Sequence, residues 1–258
     1  MLNNESRQKL KALLPADLIA TKSWLQQQGL SLHFIDNAVK GRMLRVLHPG
    51  LYAREEAKLN WKGIVASLQR MAEFPVLVGG LTALNIEGLA HYQERGTLTS
   101  VHLYSAAHLP AWLDKLDCEI GRFQWHGTRQ LWPETLMTDK KLFREDHWRE
   151  SLPPVRYSSP EKAIIEVLAD VPKAVSFEHV DQLMQGLSTL SPRKLDVVMR
   201  ASTSIKSKRL FMWLAQRYQH AWLKHLTPQD YDFGSGKREL ARDGRLDKTW
   251  NITVPKEM

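Results

Sequence analysis

The chain opens with three short segments whose apolar residues recur at helical spacing, and then changes to strand spacing. NESRQKLKALL, residues 4–14, predicts an amphipathic helix ending before Pro15. DLIATKSWLQQQG, residues 17–29, predicts a second, with Ile19, Trp24 and Leu25 apolar and Gly29 closing it. SLHFIDNAVKGRML starts at Ser31, a good N-cap, and carries Leu32, Ile35 and Val39 on one inward face. Two short helices separated by a glycine-containing turn have the spacing of a helix-turn-helix. MLRVL and LYAR then read as β-rich runs joined at His48-Pro49-Gly50. Three helices and a hairpin predict a winged helix-turn-helix over residues 1–58.

Beyond the linker REEAKLN the pattern changes to mixed α and β. WKGIVASLQRMAEF reads as a helix, PVLVGG as a buried strand and LTALNIEGL as a helix. LTSVHLYS and CEIGRFQWH read as strands around a short helix, LPAWLDKL. Residues 137–157 are charged and proline-containing, with no legible period. Residues 158–226 are mainly helical, with Ser159-Pro160 and Ser191-Pro192 each opening a helix. In the last of these helices, SIKSKRLFMWLAQRY, Leu210, Trp213 and Leu214 point inward. A β-hairpin turning at Asp243-Gly244 closes the chain over residues 227–258. The fold class is therefore α+β: a winged helix followed by a larger mixed domain, residues 59–258, ending in a hairpin.

Charge sharpens this division. The chain carries a net +8, with +4 on residues 1–58, −3 on 59–190 and +7 on 191–258. Basic ends around a slightly acidic middle suggest anionic partners, nucleic acid being the commonest. A single cysteine, Cys118, leaves no internal disulfide and suits a reducing cytoplasm. The first residues lack the layout of a signal peptide, and no apolar run approaches the ~20 residues of a membrane helix. These features predict a soluble cytoplasmic protein with no membrane contact.

In a winged helix the third helix enters the DNA major groove. Its outward residues here are His33, Asp36, Asn37 and Lys40. Asn37 has the chemistry for a bidentate contact to adenine, and Ser31 or His33 can reach base edges or phosphate. Lys22, Lys40, Arg42 and Arg45 are phosphate candidates. Asp36 is a blemish, because phosphate repels it. A winged helix used only for protein contacts is the competing interpretation. Near the other end, Lys206, Lys208 and Arg209 crowd a helix start, against the helix dipole, which suggests an anionic partner there.

Candidate chemistry is sparse. DFGSGKREL resembles a phosphate-binding loop, but Tyr231 replaces its first glycine and Arg238 its Ser or Thr. VLVGG resembles the start of a nucleotidyltransferase site, yet LTSVHLYS offers no carboxylate pair for its metal ions. There the Gly-Gly turn is a packing device. The histidines are dispersed, with His220 and His225 poorly spaced for one helix face, and no Cys pair suggests zinc. Cys118 has no nearby His or Asn, and no Gly-X-Ser-X-Gly elbow occurs. No cofactor, metal or catalytic residue is expected.

Taken together, SWLQQQGLS, VKGRMLRVLHPGLYAR, VGGLTALNIEGLAHY and GSGKRELARDGRLDKTWNITVP resemble the AbiEi antitoxins of type IV toxin–antitoxin systems. The resemblance implies a winged-helix autorepressor that binds inverted repeats in its own promoter DNA, two copies of a monomer or weak dimer meeting there. It also implies a C-terminal domain that counteracts a nucleotidyltransferase toxin of the same operon without forming a stable complex. On that likeness Ser31, His33, Asn37 and Lys40 fall on the recognition helix, with the wing running from Arg45 through His48 to Arg54. Lys237, Arg238, Arg245 and Lys248 join Lys206, Lys208 and Arg209 on the antitoxin surface. Two other readings stay open: a winged-helix regulator with a ligand- or partner-sensing domain, and a nucleic-acid-modifying enzyme.

Overall fold

The computed structural model describes residues 4–90, 100–116 and 120–258. Its N-terminal part runs α1 (Asn4–Leu13), β1 (Ile19–Thr21), α2 (Lys22–Gln27), α3 (Leu32–Lys40), β2 (Leu44–His48) and β3 (Leu51–Arg54). The three strands form an antiparallel sheet in the order β1-β3-β2. This is a winged helix with a strand between its first two helices. That strand corrects the helix expected over residues 17–29. Ile19 and Ala20 are buried and pair with Ala53 and Tyr52, and only at Thr21, whose hydroxyl accepts from Trp24 N–H, does the helix begin. A short apolar run has no period of its own to separate strand from helix, so the partner strand decides.

A second correction concerns α3. Phe34, Ile35 and Ala38 are its buried residues, whereas Leu32 is 48% exposed and Val39 only partly covered. At 3.6 residues per turn, Phe34 pulls the buried stripe round and leaves Leu32 outside it.

The larger domain is built on a five-stranded mixed sheet in the order β6-β5-β4-β8-β7. These strands are β4 (Val76–Val78), β5 (Ser100–Ser105), β6 (Arg122–Gly127), β7 (Phe143–Asp146) and β8 (Val155–Ser158). The segment without a legible period thus supplies β7 and most of β8, and the latter pairs in parallel with β4 at the sheet centre. The short helix expected over LPAWLDKL is a single 3-10 turn, Leu113–Lys115. Cys118 lies outside the described residues.

Around the sheet stand α4 (Trp61–Met71), α5 (Gly80–Ile86), α6 (Thr135–Thr138), α7 (Pro160–Ala169), α8 (Phe177–Gly186), α9 (Pro192–Ala201) and α10 (Ile205–Tyr218). Ser176, Ser191 and Ser204 cap the last three, each accepting a backbone N–H. Ser159 precedes Pro160 as expected, although its hydroxyl makes no capping bond. Helix α4 joins the two parts. It packs on β1 and β8, its Ser67 hydroxyl accepts from Ile19 N–H at 2.9 Å, and Arg70 donates to the Leu13 carbonyl. Asp17 adds to the joint by accepting from Lys58 N–H and pairing with Arg149.

The chain ends in a small sheet, order β10-β11-β9, of β9 (Arg238–Glu239), β10 (Arg245–Asp247) and β11 (Ile252–Val254). Its hairpin turns between Asp247 and Ile252, not at Asp243-Gly244. The pair β10–β11 is antiparallel, and β9 lies parallel on the far edge of β11.

Candidate nucleic-acid interface

Helix α3 starts where the Ser31 hydroxyl accepts from Phe34 N–H at 3.2 Å. The hydroxyl hydrogen remains able to donate. His33, Asp36 and Lys40 are exposed and Asn37 is half-buried, so the residues singled out on this helix share its open side with Leu32. The Asn37 amide nitrogen lies 3.2 Å from the His33 imidazole nitrogens, one turn back. That contact orders both side chains while leaving the Asn37 carbonyl and a second N–H for a base edge.

The cations around this helix are not equivalent. Lys22 pairs with Asp36 at 2.9 Å, and this hydrogen bond holds its ammonium above the usual lysine range. The pair removes the objection to Asp36 beside phosphate, and it also engages one of the phosphate candidates. Arg54 is paired with Glu56. Half-buried Arg45 donates to the Ala57 carbonyl at 2.9 Å and lines, with Lys58 and Lys115, a depression of about 520 Å³. Lys40 and Arg42 are exposed and make no ion pair among the described residues, Arg42 sitting at φ +53° just after α3. The wing is braced, since Lys22 N–H donates to the Gly50 carbonyl at its tip at 2.7 Å, with His48 half-buried beside it. Val46 on the wing is 53% exposed. Exposed apolar side chains at Leu32 and Val46 are suited to thymine methyl groups. The helical pattern concealed Leu32, because it counted that residue on the inward face of α3.

The basic start of α10 corrects an expectation. Lys208 and Arg209 are 1% and 3% exposed, so they are no open surface. Arg209 donates to the carbonyls of Phe233, Gly234, Gly236 and Asn251 at 2.6–3.1 Å. Gly234 and Gly236, at φ +61° and +74°, let the Gly-Ser-Gly run turn its carbonyls toward this guanidinium. Lys206 Nζ donates to the carbonyls of Ala169, the last residue of α7, and of Val171 just beyond it, where orphaned helix carbonyls need donors. Burial lowers the pKa of all three groups from their usual values. Lys237, Arg238, Arg245 and Lys248 are exposed, Arg245 donating to the Met258 carbonyl.

The Gly-Gly turn after β4 is filled from within. Gly80 N–H donates to Glu166 Oε2 at 2.8 Å, and a Cβ on Gly79 would strike that carboxylate and the Tyr104 ring. Glu166 Oε1 accepts from Ser158 and lies 3.3 Å from Lys162 Nζ, with both charged side chains fully buried. Burial lowers the Lys162 pKa, opposed by the attraction of Glu166. Nearby, His102 Nδ1 and His126 Nε2 are 2.9 Å apart, and His126 Nδ1 lies 3.2 Å from Asp170. Among the described residues no three His, Cys, Asp or Glu converge to hold a metal ion, and no helix is long and apolar enough to cross a membrane.

Comparison with known proteins covers nearly the whole chain. Residues 3–95 match the family model described as the N-terminal domain of the AbiEi antitoxin transcriptional regulator. Residues 99–255 match the model described as a transcriptional regulator, AbiEi antitoxin, of type IV toxin–antitoxin systems. No curated protein matches. Among solved structures, the RV2827C protein from Mycobacterium tuberculosis is similar at 15% identity and a TM-score of 0.49, over 96% of this chain and 89% of that one.

Proposed function

This chain belongs to the AbiEi family of transcriptional regulators, the antitoxins of type IV toxin–antitoxin systems, and from that premise we propose that it represses its own operon and counteracts the toxin encoded there. In this reading residues 1–58 bind promoter DNA in the cytoplasm. Two copies meet on inverted repeats, and residues 59–258 oppose a nucleotidyltransferase toxin without a lasting complex. The observation that carries the DNA reading is the open face of α3, where the His33–Asn37 pair can read bases and uncompensated Lys40 and Arg42 flank it. Lys22 and Arg54 supply positive charge only when their acidic partners yield. Arg45 supports the wing from beneath, and Ser31 caps the helix that does the reading.

Exposed Lys237, Arg238, Arg245 and Lys248 form the basic surface of the antitoxin domain in this reading. Lys206 and Arg209 tie that domain together through backbone carbonyls, and Lys208 is buried beside them. No catalytic step is assigned to the chain: Glu166 occupies the Gly-Gly turn that resembles a nucleotidyltransferase site, and the Gly-Ser-Gly run turns its carbonyls to Arg209. The test is a separation of functions in the full-length protein. Lys40→Ala with Arg42→Ala should release a reporter driven by the operon promoter while growth in the presence of the neighbouring toxin is still rescued. Loss of rescue together with repression, at normal protein levels, would count against two separable surfaces.

A further inference from the structure

The C-terminal ends of β5 and β6 carry an exposed ring system that operator recognition does not use. Trp125 on β6 is 37% exposed, and its indole N–H donates to the Ser105 hydroxyl at 3.0 Å, fixing the ring across the end of β5. Ser105 is itself held, donating to the Ala107 carbonyl. Exposed His108 packs tilted against the indole, with ring centroids 3.9 Å apart and planes 38° from parallel. Beside the pair lies an open depression of about 510 Å³ lined by Ala106, Ala107, His108, Gly127, Arg129 and Gln130. Gly127, which lines the depression, lets the indole lie close against the chain, since a Cβ there would press on the Trp125 ring at 3.3 Å. Arg129 and Gln130 are exposed, and Arg129 makes no ion pair among the described residues.

We propose that this depression binds a nucleobase with its phosphate: the base stacks on the His108–Trp125 rings, the Gln130 amide meets its edge, and Arg129 holds the phosphate. Two physical arguments support it. A large aromatic ring kept at the surface and fixed by a hydrogen bond is a stacking platform with little ordering left to lose. An unpaired guanidinium beside it is the complement that a phosphate needs. The volume suits a nucleotide-sized group, within the ~300–1,000 Å³ of small-molecule sites. The site lies in the larger domain and does not depend on the operator reading. A free nucleotide and the exposed end of a single-stranded RNA offer the same chemistry.

The experiment uses the full-length protein and two probes, uridine 5′-monophosphate by calorimetry and a labelled single-stranded RNA 12-mer of mixed sequence by anisotropy. Wild-type protein should bind at least one. Binding of both assigns the site to the nucleotide unit, and binding of RNA alone assigns it to a single strand. Trp125→Ala should weaken binding by about 10-fold, the scale of one lost base stack. Arg129→Ala, on an exposed side chain, should weaken RNA binding and shallow its salt dependence by about 0.7, or weaken uridine monophosphate binding by a similar ~10-fold. Affinity for operator DNA should not change in either variant. The proposal is overturned if wild-type protein binds neither probe, or if either variant binds as wild type does.

Discussion

Lys22 Nζ stands 2.9 Å from Asp36 Oδ1, so an ion pair joins α2 to α3 across the face that DNA would approach. Both side chains are partly exposed, and the pair adds little to stability. In the proposed DNA reading its consequence is on binding, because it withholds one cation from phosphate. Asp36→Asn should therefore raise affinity for operator DNA several-fold at low salt and steepen the slope of log K against log salt by about 0.9. Anisotropy titrations over a salt series measure it. An unchanged slope would place Lys22 away from the DNA backbone.

In the proposed DNA reading, Asn37 and His33 act on sequence rather than on charge. Asn37→Ala should cost about 1–3 kcal/mol on the preferred operator and relax preference at one base pair, leaving non-specific binding nearly intact. Lys40→Ala should weaken all duplexes alike and flatten the salt slope by about one unit. A panel of single-base operator variants separates the two. Uniform loss for Asn37→Ala would mean that it reads no base.

The cations of the C-terminal half should split by burial. Arg209 is 3% exposed and satisfies four carbonyls, so Arg209→Ala should destabilise the protein by about 3 kcal/mol or more in urea denaturation. Lys237→Ala, on an exposed side chain, should change stability by no more than about 0.5 kcal/mol. Equal effects would contradict the clamp of the Gly-Ser-Gly run on Arg209.

His102 should give the protein a dependence on acid. Burial first, and the neighbouring His126 second, hold its pKa down to about 4 from an ordinary value near 6.5, with Asp170 opposing. A histidine with a depressed folded pKa contributes stability above its unfolded pKa and loses it as pH falls. The loss should run from about pH 6.5 to 4 and reach roughly 3 kcal/mol. His102→Gln should flatten stability across that window, as read by denaturant midpoints at successive pH values. An identical pH profile in wild type and variant would remove His102 as the cause.

Much of the winged helix was legible because its signals are local: Ser31 caps, Gly29 stops, and His48-Pro49-Gly50 turns. What escaped depends on partners distant in sequence. Ile19–Thr21 becomes a strand only because Leu51–Ala53 lies beside it. The interior strand β8 hid in a charged, proline-containing stretch, since a three-residue neighbour such as β4 and long-range pairing leave no period to read. The start of α10 looked like a binding surface because sequence shows charge but not burial. The carbonyls that satisfy Arg209 lie 24–42 residues away. Around α3, the exposure of Ser31, His33 and Lys40 was legible from the outward face, while the exposure of Leu32 was missed because an apolar residue counts as core.

The most direct measurement is the affinity of the full-length protein for its own promoter duplex and for a scrambled duplex of equal length, from low to physiological salt. The account predicts tight, salt-dependent binding with a clear preference for the promoter, a preference that Asn37→Ala reduces and Lys40→Ala leaves in place. Equal, weak binding to both duplexes, or a preference untouched by Asn37→Ala, would contradict recognition through α3.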